Sequence, residues 1–74
     1  MPMSAYGVYL IACEMIRAET DVNVFNALAN IVDYAVIAVT DQFPNLNDIP
    51  MSDADVRAAL RVYFDRALGQ TVSL

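Results

Sequence analysis

The sequence contains no histidine, no lysine and no tryptophan, and it has a single cysteine. Acid-base catalysis at neutral pH usually relies on histidine, or on a carboxylate or lysine whose pKa its surroundings have shifted. One cysteine excludes an internal disulfide, and without histidine the chain has no cluster of typical zinc ligands. These absences favour a protein that is not an enzyme and that carries no cofactor and no metal.

Positive charge is also scarce, because four arginines oppose nine acidic residues and the net charge is -5. An excess of negative charge repels phosphate backbones, so we expect no nucleic-acid partner. The longest apolar runs, residues 5–13 and residues 31–39 with Asp33 inside, are shorter than the ~20 residues that a spanning helix needs. The first positive charge, Arg17, follows the first apolar run, unlike the basic flank of a signal peptide. We expect a cytoplasmic protein without membrane contact.

Hydrophobic residues, in contrast, make up 58% of the 74 positions. A chain of this length forms one domain over residues 1–74, and small domains bury only about 60% of the surface that the unfolded chain exposes. Part of the apolar surface should therefore be covered by another chain. Since neither a disulfide nor a metal is available for stabilisation, we expect a homodimer.

Apolar residues recur at spacings of three and four rather than alternating, which indicates helices. The pattern predicts an all-α fold, a compact bundle of three helices at about residues 5–18, 22–42 and 53–68, completed by dimerisation. Ser4 and Ser52 are suitable N-caps for the first and third helices, and Gly69 for the C′ position of the third. Thr20 or Asp21 could cap the second helix; without a break there, residues 5–42 would form one helix of roughly 57 Å.

The helical positions also predict a core. The second helix should be covered on most sides, and in the connector after it Leu46 and Ile49 should act as anchors. The predicted inward residues are Phe25, Leu28, Ile31, Val32, Ala35, Val36, Val39, Val56, Leu60, Tyr63, Phe64, Ala67 and Leu68. On the outer face of the third helix, Asp53 and Asp65 are spaced to pair with Arg57 and Arg61.

A polar row on the second helix comprises Asn23, Asn26, Asn30 and Asp33. Asparagine is a poor residue inside helices, so several on one face indicate either plain exposure to solvent or hydrogen bonding across an interface. Asp33 lies among apolar neighbours and is the carboxylate most open to desolvation, but no second acid at helical spacing accompanies it. We interpret this row as a candidate partner-binding surface.

Tyr6 and Tyr9 lie three positions apart in the apolar first helix, and tyrosine is enriched at interfaces. They could equally belong to the core.

Arg66 remains as a candidate contact after Arg57 and Arg61 are paired, and Cys13 is interpreted as a small buried hydrophobe. The oxygen-rich residues of segment 45–55 do not follow the spacing of a calcium-binding EF-hand, and helix capping accounts for them better.

In its size, acidity and helical content the chain resembles acyl carrier proteins, whose attachment serine lies in an Asp-Ser-Leu motif. That motif is absent here, since Ser52 lies between Met51 and Asp53, and Ser4 between Met3 and Ala5.

The leading hypothesis is a small acidic interaction module, not an enzyme, that self-associates and binds or inhibits an unidentified protein. The alternatives are a structural subunit of a larger hetero-assembly and, less favoured, a small-molecule carrier or enzyme.

Overall fold

A computed structural model describes the backbone of residues 3–72 and the side chains of residues 3–69. Three α-helices pack mutually: α1 (Ala5–Arg17), α2 (Val22–Thr40) and α3 (Asp53–Val72). Within the described residues the only β-type pairing is an isolated antiparallel bridge between Met3 and Ile49. The all-α fold with three helices is therefore confirmed.

The helix starts follow from local capping. The Ser4 hydroxyl accepts a hydrogen bond from the Gly7 amide at 3.0 Å, and the Asp21 carboxylate accepts one from the Asn23 amide at 2.8 Å. Both caps have extended backbone, which interrupts the helical path and satisfies an amide that the first turn leaves unpaired. Asp21 rather than Thr20 is thus the cap, and α1 and α2 are separate helices rather than one.

The helix ends differ from the predicted ones. Helix α1 ends one residue earlier and α2 two residues earlier than expected, whereas α3 continues past Leu68 and Gly69 to Val72. The prediction that Gly69 ends α3 is wrong. Gly69 does not adopt a positive φ, and a glycine inside a helix costs only about 1 kcal/mol relative to alanine. The predicted tail, residues 70–74, is helical to Val72, and its last two residues lie outside the described part.

The core lies where the three helices meet the connector between α2 and α3. Met3 and Ile49 exchange two backbone hydrogen bonds of 3.1 and 2.7 Å, which place the Ile49 side chain in full burial. Leu46 is bound to α1 through its carbonyl, but its side chain is 50% exposed, so it is not an apolar anchor. The buried apolar residues are Val8, Ile11, Ala12, Ile16, Leu28, Ala35, Val39, Ile49, Val56, Leu60 and Phe64.

Two arginines of α3 connect this helix to α1 and to the loop that follows α1. Arg57 binds both Asp53 on its own helix and Glu14 on α1, the latter at 3.1 Å. Arg61 lies 3.6 Å from Asp65 and 3.8 Å from a carboxylate oxygen of Glu19, in the loop between α1 and α2. The predicted pairs within α3 are confirmed. In addition, Arg57 bridges α3 to α1, and Arg61 bridges α3 to the loop between α1 and α2.

The bundle is too thin to cover all of its apolar side chains. Its extents are 37 × 22 × 17 Å, and helices pack 8–10 Å apart, so the shortest dimension holds about two layers. Helix α2 therefore keeps an open face, and the expectation that it is covered on most sides is wrong for a single chain. Its buried residues are Leu28, Ala35, Val39 and Thr40.

Helix α2 is also long and apolar enough to cross a membrane, by length and composition alone. The longest apolar run in this helix, residues 31–39, is shorter than the complete helix, Val22–Thr40, which reaches the necessary length. Core helices of soluble proteins pass the same test, so one such helix is weak evidence. The absence of membrane contact stays a prediction.

Candidate interaction surface

An open groove of about 250 Å³ runs between α1 and α2. The connection through residues 18–21 is short, so the two helices run antiparallel and contribute residues to the groove in opposite order. The groove is lined mainly by apolar side chains. They are Tyr9, Cys13, Ile16 and Arg17 from α1, and Phe25, Ala29 and Val32 from α2.

Tyr9 and Cys13 lie one turn apart on α1 and interact inside this groove. Hydrogen bonding with Cys13 raises the pKa of the Tyr9 hydroxyl above its ordinary value, and the negative charge that Cys13 can carry adds to this effect. Desolvation and the charges of Asp33 and Tyr6 raise the pKa of Tyr9 further. Tyr9 lines the groove, Tyr6 lies one turn before it on α1, and Asp33 directly follows Val32, which also lines the groove. Tyr6, Tyr9 and Asp33 are therefore neighbours at one end of the groove.

The outer side of α1 extends this apolar surface. Tyr6 is 69% exposed and lies one turn before Tyr9, and Leu10 is 47% exposed and lies one turn before Cys13. Cys13 is only partly buried, whereas the sequence predicted a buried residue at this position. Together with the groove, these side chains form the largest group of neighbouring exposed apolar residues on α1. We call the groove with Tyr6 and Leu10 the α1–α2 face.

The predicted polar row forms a border of this face. Asn26, Asn30 and Asp33 are exposed, and each immediately follows a residue that lines the groove. Asn23 is exposed in the first turn of α2, where its amide binds the capping carboxylate of Asp21. All four predicted residues of the row are thus on the surface, three of them beside the apolar groove.

Arg66 lies elsewhere, in a separate cluster on α2 and α3. Its guanidinium is 5.5 Å from the centre of the Tyr63 ring, and this ring meets Tyr34 edge-on with 6.4 Å between ring centres. Tyr34 is exposed, while Tyr63 is partly buried. Tyrosine and arginine are the residue types most enriched at interface hot spots. The seven predicted site residues therefore divide between two surfaces.

Apart from Tyr9, none of the residues that line the groove was among the predicted site residues. Phe25 was assigned to the core but is 37% exposed and lines the groove. Arg17 was noted only as the first positive charge, yet it lines the end of the groove opposite Asp33. The sequence feature that could have indicated this place is the position of Arg17 in the last turn of α1, next to the loop that reverses the chain.

The side chains that these surfaces present can be compared with those that a metal site requires. Among the described residues no group of three His, Cys, Asp or Glu side chains could hold a metal ion. Local hydrogen bonds occupy the oxygen-rich segment, where Asn45 accepts from the Asn47 amide and Ser52 accepts from the Asp55 amide. The arrangement offers exposed aromatic and aliphatic side chains bordered by amides and single charges.

Comparison with known proteins finds no match to this chain among protein-family models, curated proteins or solved structures. The fold and the two surfaces define a small all-α protein of three helices with an apolar groove.

Proposed function

We propose that this chain is a protein–protein interaction module, not an enzyme, that self-associates and binds or inhibits a second protein. The observation that carries the proposal is the α1–α2 face, where Tyr6, Leu10 and Phe25 remain exposed around an apolar groove. Contiguous exposed apolar surface bordered by polar residues is typical of protein interfaces. Covering it removes apolar area from water at a gain of roughly 25 cal/mol per Å².

The cluster of Tyr34, Tyr63 and Arg66 supports the second half of the proposal. It lies on the α2–α3 side, so a protein bound there can contact the module while the α1–α2 face is covered. The stacked Arg66 is held by the Tyr63 ring, which reduces the side-chain entropy lost when a partner binds. We assign self-association to the α1–α2 face and the second protein to this cluster.

Size-exclusion chromatography with light scattering, over a series of protein concentrations, tests self-association. We expect a stable mass of twice 8.1 kDa. Leu10→Ser should shift the equilibrium to the monomer, because it removes an exposed leucine from the α1–α2 face. Val62→Ser is the matched control: Val62 is 53% exposed, close to the 47% of Leu10, but lies on α3. A wild-type monomer at all concentrations contradicts the proposal.

A structural subunit of a hetero-assembly is the second candidate. It is favoured by exposed apolar side chains outside both surfaces, namely Ile37 on α2, Leu46 in the connector and Val62 on α3. An isolated subunit of this kind should aggregate and bind the dye ANS, whereas a module with its own dimer interface should remain soluble and unfold cooperatively. Dye binding and a thermal unfolding curve on the same sample separate the two candidates.

A further inference from the structure

The two ends of the α1–α2 groove carry opposite charges. Arg17 lines one end, and Asp33 lies at the other end beside Val32 and Tyr9. Tyr9 and Arg17 are eight positions apart on α1, which corresponds to about 12 Å along the helix. Both charged side chains are exposed, and neither takes part in the ion pairs formed within residues 3–69.

The middle of the groove is formed by two small residues. Cys13 is midway between Tyr9 and Arg17 on α1, and Ala29 is midway between Phe25 and Asp33 on α2. Small side chains at the centre let a second helical surface approach closely, while the larger Tyr9 and Phe25 lie on either side. The groove therefore has small residues at its centre and an aromatic residue towards each end, and its two ends are opposite in charge.

We propose that a second copy of this chain covers the α1–α2 groove. A two-fold axis near Cys13 and Ala29 would let Arg17 of each copy pair with Asp33 of the other. The proposal rests on the self-association proposed above and specifies its geometry. In a two-fold interface, if residue i contacts residue j of the partner, j also contacts i. Because the two ends of one groove carry opposite charges, the two-fold arrangement forms the pair between Arg17 and Asp33 twice, once at each end.

Charge complementarity favours this occupant over a partner segment whose charges are all of one sign. An acidic partner segment would pair with Arg17 but would place negative charge against Asp33, and a basic segment would do the reverse. A second copy in the two-fold arrangement satisfies both charges. Charged pairs at the edge of an interface contribute to orientation and specificity more than to affinity. They matter here because each copy carries a net charge of -5 and the copies repel each other at long range.

Charge reversal tests the arrangement. In Arg17→Glu two acidic side chains face each other, and in Asp33→Arg two basic ones do. We expect each variant alone to dimerise roughly tenfold more weakly than wild type or worse, since like charges in an interface are strongly unfavourable. An equimolar mixture of the two variants should form a heterodimer close to wild-type affinity, because each interface end then carries one acid and one base.

Asp48→Arg is the control for net charge. It adds the same positive charge as Asp33→Arg but on the exposed connector. If only long-range repulsion mattered, both variants would strengthen dimerisation, and that result would overturn the pairing of Arg17 with Asp33. Circular dichroism establishes that each variant keeps its helices before its dissociation constant is measured by sedimentation.

Cross-linking gives a second measurement that needs no charge reversal. A short bis-maleimide should join two wild-type chains through Cys13, which lies near the proposed axis. The matched control is Cys13→Ala with Ala58→Cys, which moves the thiol to an exposed position on α3 and should abolish the cross-linked dimer. Cross-linking through position 58 but not through Cys13 overturns the two-fold arrangement while leaving a dimer. A wild-type chain that stays monomeric in sedimentation instead refutes the self-association itself.

Discussion

Arg57 and Glu14 are 43 positions apart in the sequence, yet their side chains meet at 3.1 Å and join α3 to α1. The same guanidinium binds Asp53, and both hydrogen bonds raise the pKa of Arg57, that with Asp53 more strongly. Because both carboxylates are largely exposed and Arg57 is partly exposed, water and salt screen these pairs. The contact orients α3 against α1 more than it stabilises the fold.

This screening gives the first prediction. Glu14→Gln should lower the midpoint of thermal unfolding slightly at low salt, and the difference from wild type should disappear at high salt. Asp48→Asn, in the exposed connector, is the control and should have no such salt-dependent effect. Thermal unfolding followed by circular dichroism at two salt concentrations measures the difference. A large loss that persists at high salt would mean that Glu14 has a packing role.

The second prediction concerns the core. Phe64 is fully buried in α3 and is the largest of the fully buried side chains. Phe64→Ala leaves a cavity and should lower the free energy of unfolding by about 3–5 kcal/mol, a large part of the stability of a small domain. Val62→Ala, two residues earlier on the exposed side, should change it by about 0.5 kcal/mol or less. Denaturant unfolding at one fixed protein concentration compares the two variants.

The third prediction concerns the separation of α1 and α2. Asp21→Ala removes the side-chain acceptor of the Asn23 amide and should lower the free energy of unfolding by about 1 kcal/mol. Asp21→Asn keeps a side-chain oxygen at the same place and should retain most of that stability. Equal losses in the two variants would show that the negative charge, rather than the cap hydrogen bond, stabilises the start of α2.

The fourth prediction follows from the raised pKa of Tyr9. Its hydroxyl holds the proton more tightly in the folded protein than in the unfolded chain, where the ordinary pKa of 10.0 applies. The tighter binding of this proton stabilises the folded state, and the stabilisation is fully present below pH 10. It is lost as the pH rises through the folded-state pKa, which lies above that value. Cys13→Ala removes the largest cause of the shift and should move the titration of Tyr9 back towards its ordinary pKa.

Ultraviolet absorbance of the tyrosinate form measures this titration. Four tyrosines contribute to the signal, so Tyr9→Phe identifies the part that belongs to Tyr9. A titration curve that Cys13→Ala leaves unchanged would show that the hydrogen bond with Cys13 does not shift the pKa of Tyr9.

Most of the fold could be predicted because its signals are local. The spacing of apolar residues predicts all three helices, and Ser4, Asp21 and Ser52 lie where a first turn needs an acceptor. The end of α3 could not be predicted, because Gly69 does not adopt the positive φ of a C′ glycine, and a glycine inside a helix costs only about 1 kcal/mol relative to alanine. Local preference therefore located helix starts better than helix ends.

The candidate site was predicted only in part. Tyr6, Tyr9 and Asp33 were each selected from sequence, but nothing in their spacing shows that they share one end of a groove. Phe25 has the apolar character of a core residue, and only the position of α1 against α2 leaves it at the surface. The packing of α1 against α2 likewise places Arg17 at the opposite end of the groove.

The sequence by itself determined the helical fold, the approximate extent of the helices, the acidic surface and the excess of apolar residues, because these depend on composition and on contacts within a few positions. The tertiary structure decided which side chains meet between helices: the link from Arg57 to Glu14, the burial of Ile49 rather than Leu46, and the opposite charges at the two ends of the groove. The reason is physical. Helical period fixes which residues share one face, but the rotation and crossing of packed helices determine which faces are brought together and which remain open.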